Sequence, residues 1–134
     1  MALDTSKIEA VLNRFAVGWR TADAALLKST WDPEHSGCSY IASENEKPLF
    51  GSQAISRYYD QALATFPITS TEINNVTINV LDGIAYAFCD IAIGFKIGEQ
   101  EFLVYPRATF VLRRRGDDWF VIHYHESIKY ELPA

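Results

Sequence analysis

The sequence predicts an α+β fold in which three N-terminal helices pack on a curved antiparallel sheet. Apolar residues recur at helical spacing as far as Phe66-Pro67 and at strand spacing beyond it, where turn dipeptides separate runs rich in Val, Ile, Phe and Tyr. The 134 residues are 49% hydrophobic and 22% charged, the balance of one globular domain over 1–134 with a core of its own.

Each element has a local reason. Ser6-Lys7-Ile8-Glu9 has the form of a capping box, and Ile8, Val11, Leu12, Phe15 and Trp19 then form a stripe, so a helix is expected from about 7 to 20. Thr21 can cap a short second helix that ends before Asp32-Pro33. A strand near 38–43 is expected to join a sheet edge, and Gly51-Ser52 opens a third helix carrying Ile55, Tyr58, Tyr59 and Leu63. Beyond Pro67, the turns Asp82-Gly83, Gly98-Glu99 and Gly116-Asp117 divide the chain into a four-stranded meander, with later runs at about 84–95, 101–114 and 119–129. The run 84–95 is apolar on both faces, and a homodimer is the economical cover for the second one.

Charge excludes some functions. A net charge of −5 argues against a nucleic-acid partner, and the basic run Arg113-Arg114-Arg115 is followed at once by Asp117-Asp118, as at a charged hairpin end. No segment has the roughly 20 apolar residues of a membrane span, and the charged N-terminal stretch does not read as a leader. Cys38 and Cys89 lack metal or redox spacing and read as small buried hydrophobes, which fits a reduced, cytoplasmic protein.

Three segments carry a resemblance: WRTADAALLKSTWDP over 19–33, PLFGSQAISRYY over 48–59 and RRRGDDWFVIHYHES over 113–127. Together they resemble the nuclear transport factor 2-like superfamily in its SnoaL-like and ketosteroid-isomerase-like branch, and the last is also similar to the calcium/calmodulin-dependent kinase II association domain. The resemblance implies a cone-shaped barrel around a pocket, frequent dimers, and chemistry that varies from member to member. It argues against ketosteroid isomerase itself. Phe15 stands where that family has its oxyanion-donating tyrosine, and its general-base position falls at 41–43, where this chain has no carboxylate.

Two-residue turns at Gly98-Glu99 and Gly116-Asp117 put Asp90 opposite Arg107 and Arg107 opposite Glu126. Such a row would share its face with Tyr86, Phe88, Thr109, Ile122 and Tyr124. Similarity to the kinase association domain implies that this face looks into the pocket, with His123 and His125 on the other side. The row reads either as a self-neutralising register device or as an arginine that binds substrate beside a proton-moving carboxylate. His-Tyr-His lacks an obvious third metal ligand, so the histidines read as an interface pair or as a catalytic His125. Phe15, Trp19, Tyr40, Tyr58, Phe88, Tyr105, Phe110 and Tyr124 suggest an aromatic-lined pocket. The expected function is cofactor-free acid–base catalysis of cyclase, dehydratase or hydrolase type on an apolar or cyclic small molecule. The alternative is a non-catalytic ligand-binding or assembly module.

Overall fold

The structure, a computed structural model, describes residues 5–133; Ala134 and residues 1–4, part of the stretch read above for a leader, lie outside them. The order is α1 (Ser6–Arg20), α2 (Ala24–Ser29), β1 (Ser39–Ile41), β2 (Leu49–Phe50), α3 (Ser52–Thr65), β3 (Ile68–Leu81), β4 (Ile84–Ile97), β5 (Gln100–Val104), β6 (Arg107–Arg115) and β7 (Asp118–Ser127). Ile8, Val11, Leu12 and Phe15 form the buried stripe of α1. Its N-cap is Thr5 rather than Ser6, and Thr5 Oγ1 donates to Glu9 at 3.4 Å. Thr21 closes α1 by donating its hydroxyl to the Val17 carbonyl, and Asp23 caps α2 by accepting the Leu26 N–H at 3.0 Å. The two helices cross closely because position 18 is glycine: a Cβ there would lie 2.7 Å from Leu27 Cγ.

The strands form one curved sheet in the order β2-β1-β7-β6-β4-β3, with β1 parallel to β7 and the other pairings antiparallel. It is unclosed, so the expected barrel is an open, helix-covered sheet. The run expected as one strand over 101–114 is two, because Tyr105-Pro106 interrupts it. β5 pairs with the far half of β4 and β6 with the near half.

Register fixes which side chains see the helices. Leu49, Tyr40, Tyr124, Phe110, Ala87 and Ile78 follow one another across six strands on the inner face. Ala85, Ala87, Cys89 and Ala108 are fully buried there, and their small size leaves room for Phe15, Phe110 and Tyr124. Asp90 does pair with Arg107, but Arg107 stands opposite Ser127, and Glu126 opposite Ala108. The cause is a β-bulge: Leu112 pairs with Val121 and Val111 with His123, leaving Ile122 as an extra residue on β7. Beyond that bulge, β7 has the opposite parity from the one an unbroken hairpin would give.

Asp32 anchors the exit of α2. Its backbone N–H donates to the Val121 carbonyl, and Arg115 Nε donates to both of its side-chain oxygens at 2.8 Å. Burial pushes the Asp32 carboxyl up, but the Arg115 bonds, the Glu34 N–H and the positive charges of Arg115 and Arg113 together bring it below its ordinary 3.8. A depressed carboxyl contributes stability that is present above its unfolded value and is lost as pH falls through the folded one. Asp32→Asn is therefore expected to lower the melting temperature by several degrees at neutral pH, with the gap to wild type closing below about pH 3.8. A gap that stays constant in calorimetry across that range would refute this account of Asp32.

Candidate active site

Between α1, α3 and the inner face of the sheet lies a cavity of about 290 Å³. Phe15 and Trp19 come to it one helical turn apart on α1, Tyr58 from α3, Tyr40 from β1, and Tyr124 and Glu126 from β7. The rings form a continuous cluster: Tyr40 stacks on Tyr124 at 4.9 Å, and Phe15 meets Tyr124 at 5.1 Å and Trp19 edge-on at 6.3 Å. Behind them the Trp31 indole N–H donates to the Tyr59 hydroxyl at 2.7 Å, so the buried polar ends are satisfied within the aromatic cluster.

Two carboxyl groups face this cavity. Glu126 accepts the Tyr124 hydroxyl on Oε1 at 2.6 Å, and the Ser43 hydroxyl and N–H on Oε2 at 2.8 and 3.1 Å. A carboxylate has about four lone-pair sites, so these three donors leave one open. Glu44, the residue after Ser43, accepts the Tyr58 hydroxyl. Glu44 is exposed as a residue, yet desolvation of its carboxyl at the cavity raises its pKa above its ordinary 4.5; a hydrogen bond from its own backbone opposes that rise, and the charge of Glu126 adds to it. Burial likewise raises Tyr124, with Glu126's charge adding to it, so Tyr124 keeps its proton and remains a donor.

Several expected site residues lie elsewhere. Asp90 and Arg107 are on the outer face, because β4 turns Ala87, Cys89 and Ile91 inward, not Phe88 and Asp90. Asp90 accepts from Asn75 at 2.8 Å, and among the described residues no ion pair joins it to Arg107. Phe88 shares the outer face at 46% exposed, and Tyr105 is 64% exposed in the interruption between β5 and β6. Phe110 is buried in the core against Phe15 and Tyr124, behind the cavity wall. His123 and His125 are on the outer face with rings 6.1 Å apart, and Ser39 Oγ lies 2.7 Å from His123 Nδ1. Burial, then the neighbouring His125, lowers the His123 pKa.

Glu44 escaped the sequence reading. It stands one residue past positions 41–43, and the pairing of β1 with β7 that brings it to the cavity has no signal in the sequence. A second, wider groove of about 530 Å³ runs between α2, Trp31-Pro33 and α3. Its Lys28 is engaged by Asp60 at 2.9 Å and its Asp32 by Arg115 at 2.8 Å, so the paired carboxyls make the smaller cavity the stronger site for chemistry.

The model of the SnoaL-like domain family matches residues 8–131. The chain belongs to that family. No curated protein matches it. Among solved structures, it superposes with TM-score 0.82 and 18% identity on a provisionally assigned dehydratase of the nuclear transport factor 2-like family from Streptomyces avermitilis, covering 96% of this chain and 98% of that one. A provisionally assigned calcium/calmodulin-dependent protein kinase II association domain from Xanthomonas campestris gives 0.81 at 18% identity, covering 98% and 91%. A provisionally assigned aromatic ring hydroxylase from Novosphingobium aromaticivorans gives 0.81 at 15%, covering 97% and 92%. At these identities the likeness shows a shared fold, and the SnoaL-like chain's chemistry has to be argued from its own residues.

The raised Glu44 carboxyl has a signature in stability. A group whose folded pKa is raised contributes stability below its unfolded value and loses it as pH climbs through the folded one. Glu44→Gln removes the charge, so it is expected to be more stable than wild type at neutral pH and to converge with it below about pH 4.5. Thermal melts from pH 3 to 8 would decide; a variant less stable than wild type at neutral pH would show that the ionised carboxyl bears no net penalty there.

Proposed function

We propose that this SnoaL-like protein is a cofactor-free acid–base enzyme acting on a small apolar or cyclic substrate. One observation carries the reading: two carboxyl groups in unequal surroundings, Glu44 and Glu126, share an aromatic cavity. Unequal carboxyls side by side are a common way to hold an acid and a base at one pH. Glu126, with one open lone pair and three donors fixing it, takes the substrate proton; Glu44, held against Tyr58, returns one to a leaving or acceptor oxygen. The aromatic walls exclude water and orient a flat ring. A dehydration or ring closure needs those two transfers, which agrees with the provisional dehydratase among the structural neighbours.

The test is product analysis by mass spectrometry on a panel of neutral cyclic β-hydroxy ketones, enolisable ketones and epoxides. Glu126→Gln and Glu44→Gln are each expected to cut turnover by about 100-fold or more while ligands still bind, and Asp90→Asn to leave it unchanged. Full activity in Glu126→Gln would sink the assignment. Tight binding across the panel with no turnover by wild type would favour the non-catalytic module.

We infer a homodimer formed through the outer face of the sheet. Tyr86 and Phe88 stand mid-sheet on β4, at 40% and 46% exposed, beside Val111 and Thr109 of β6 and the two histidines of β7. Ile91, in the doubly apolar run 84–95 for which a homodimer is the expected cover, is buried on the cavity side and not on this face. Light scattering at micromolar concentration should give twice the 15.1 kDa chain mass, and Phe88→Asp should give the mass of one chain. A wild-type monomer would rule the dimer out.

A further inference from the structure

Thr71 is 4% exposed on β3 and belongs to the wall of the same cavity, and its Oγ1 is the one buried side-chain oxygen without a hydrogen-bond partner among the described residues. It pairs with Ile93, another wall residue, and its backbone carbonyl accepts Arg20 Nη1 at 3.4 Å, which ties that strand to the end of α1. Burying a hydroxyl without a partner is unfavourable, and the cost is recovered when an incoming group supplies one. Because Oγ1 holds no hydrogen bond, a ligand group reaching it has no existing bond to displace.

The rest of the wall limits what that incoming group can be. No Lys, Arg or His lines the cavity among its described residues, and its two carboxyls are Glu44 and Glu126, so an anionic ligand would meet like charge and no counter-ion. The charge of Glu126 is already met by three donors and does not call for an ammonium. Near 290 Å³, the space lies at the small end of ligand pockets, which suits one or two rings. In sheet order Thr71, on the edge strand β3, is three strands away from Glu126 on the interior strand β7.

We propose that Thr71 is a specificity-determining residue that donates to a neutral oxygen, a ketone or ether, on a one- or two-ring hydrocarbon ligand whose far end lies at Glu44 and Glu126. This rests on the reading of the aromatic cavity as the ligand site. Thr71 takes no part in the proton transfer; it sets which end of the ligand enters first.

The experiment compares wild type, Thr71→Val and Thr71→Ser in equilibrium binding, followed by calorimetry and by intrinsic tryptophan fluorescence, to which Trp19 in the cavity wall contributes beside Trp31 and Trp119. The probes are 1-tetralone, tetralin, 1-aminotetralin and tetralin-1-carboxylate. Wild type should bind tetralone in preference to all three others. Thr71→Val, which keeps the shape and deletes the hydroxyl, should lose about five- to tenfold in tetralone affinity and nothing for tetralin, and should melt higher than wild type when ligand-free. Thr71→Ser should keep the preference, which separates the hydroxyl from any packing defect. An unchanged tetralone preference in Thr71→Val, a lower melting point for that variant, or tighter binding of the amine or the carboxylate would each overturn the proposal. Binding is read without turnover, so these outcomes are independent of the acid–base assignment: loss of that assignment in Glu126→Gln would leave the Thr71 result standing, and the reverse also holds.

Discussion

One extra residue on β7 decides which chemistry faces the cavity. Val121 points inward opposite Leu112; were the strand regular beyond it, His123 and His125 would point inward too, and Tyr124 and Glu126 would face away. The bulge at Ile122 exchanges the two sets. It delivers a tyrosine and a carboxylate to the aromatic cluster and places both histidines on the outside. Tyr124 then stacks on Tyr40 and donates to Glu126, and Ser43, beyond the end of β1, closes the other carboxylate oxygen. The parallel pairing of β1 with β7 is what brings Ser43 and Glu44 alongside Glu126, so the two carboxyls converge from segments about eighty residues apart in the chain without any local motif.

The cavity is also a product of small residues. Ala85, Ala87, Cys89 and Ala108 form a fully buried floor of the core beside the cavity, while α1 supplies Phe15 and Trp19 to the cavity lining itself. Cys89 belongs to this floor as a buried thiol whose pKa burial pushes up to about 12, with Asp90's charge adding to the shift; it is packing, not a nucleophile. The outer face shows the opposite composition, with exposed aromatics, threonines and asparagines beside the histidine pair. The double apolarity of β4 therefore has two parts: small residues buried on the inner face and large ones exposed on the outer face.

Much of the fold was legible in the sequence. Helical spacing located α1 and α3, and Asp82-Gly83, Gly98-Glu99 and Gly116-Asp117 each turned where their backbone preferences said, with Ile97 opposite Gln100 and Arg115 opposite Asp118. The pairing of Asp90 with Arg107 followed from that counting. Glu126 did not, because counting outward from a turn assumes one residue per rung, and a bulge breaks the count. The sequence carries no trace of it, since Trp119, Phe120, Val121 and Ile122 are all apolar; the change of parity shows only in burial, odd at Trp119 and Val121 and even at Tyr124. Glu44 was hidden for a different reason. It lies in a connection, where no periodicity points a side chain anywhere, and only the three-dimensional meeting of β1 with β7 gives it a role.

The interruption at Tyr105-Pro106 has a consequence for how this architecture can change. Since β5 and β6 occupy the same edge of β4 in succession, and the Pro106 carbonyl receives the Ile91 N–H at the junction, the hairpin over 97–104 is an appendix to the sheet, not a link within it. Residues can be added to or removed from its tip without shifting a single rung between β6 and β7. The rim of the cavity, where Val104 and Pro106 stand, is thus free to lengthen, shorten or change its side chains while the carboxyl pair keeps its alignment. The cavity rim and the carboxyl pair are carried by separately heritable parts of one chain.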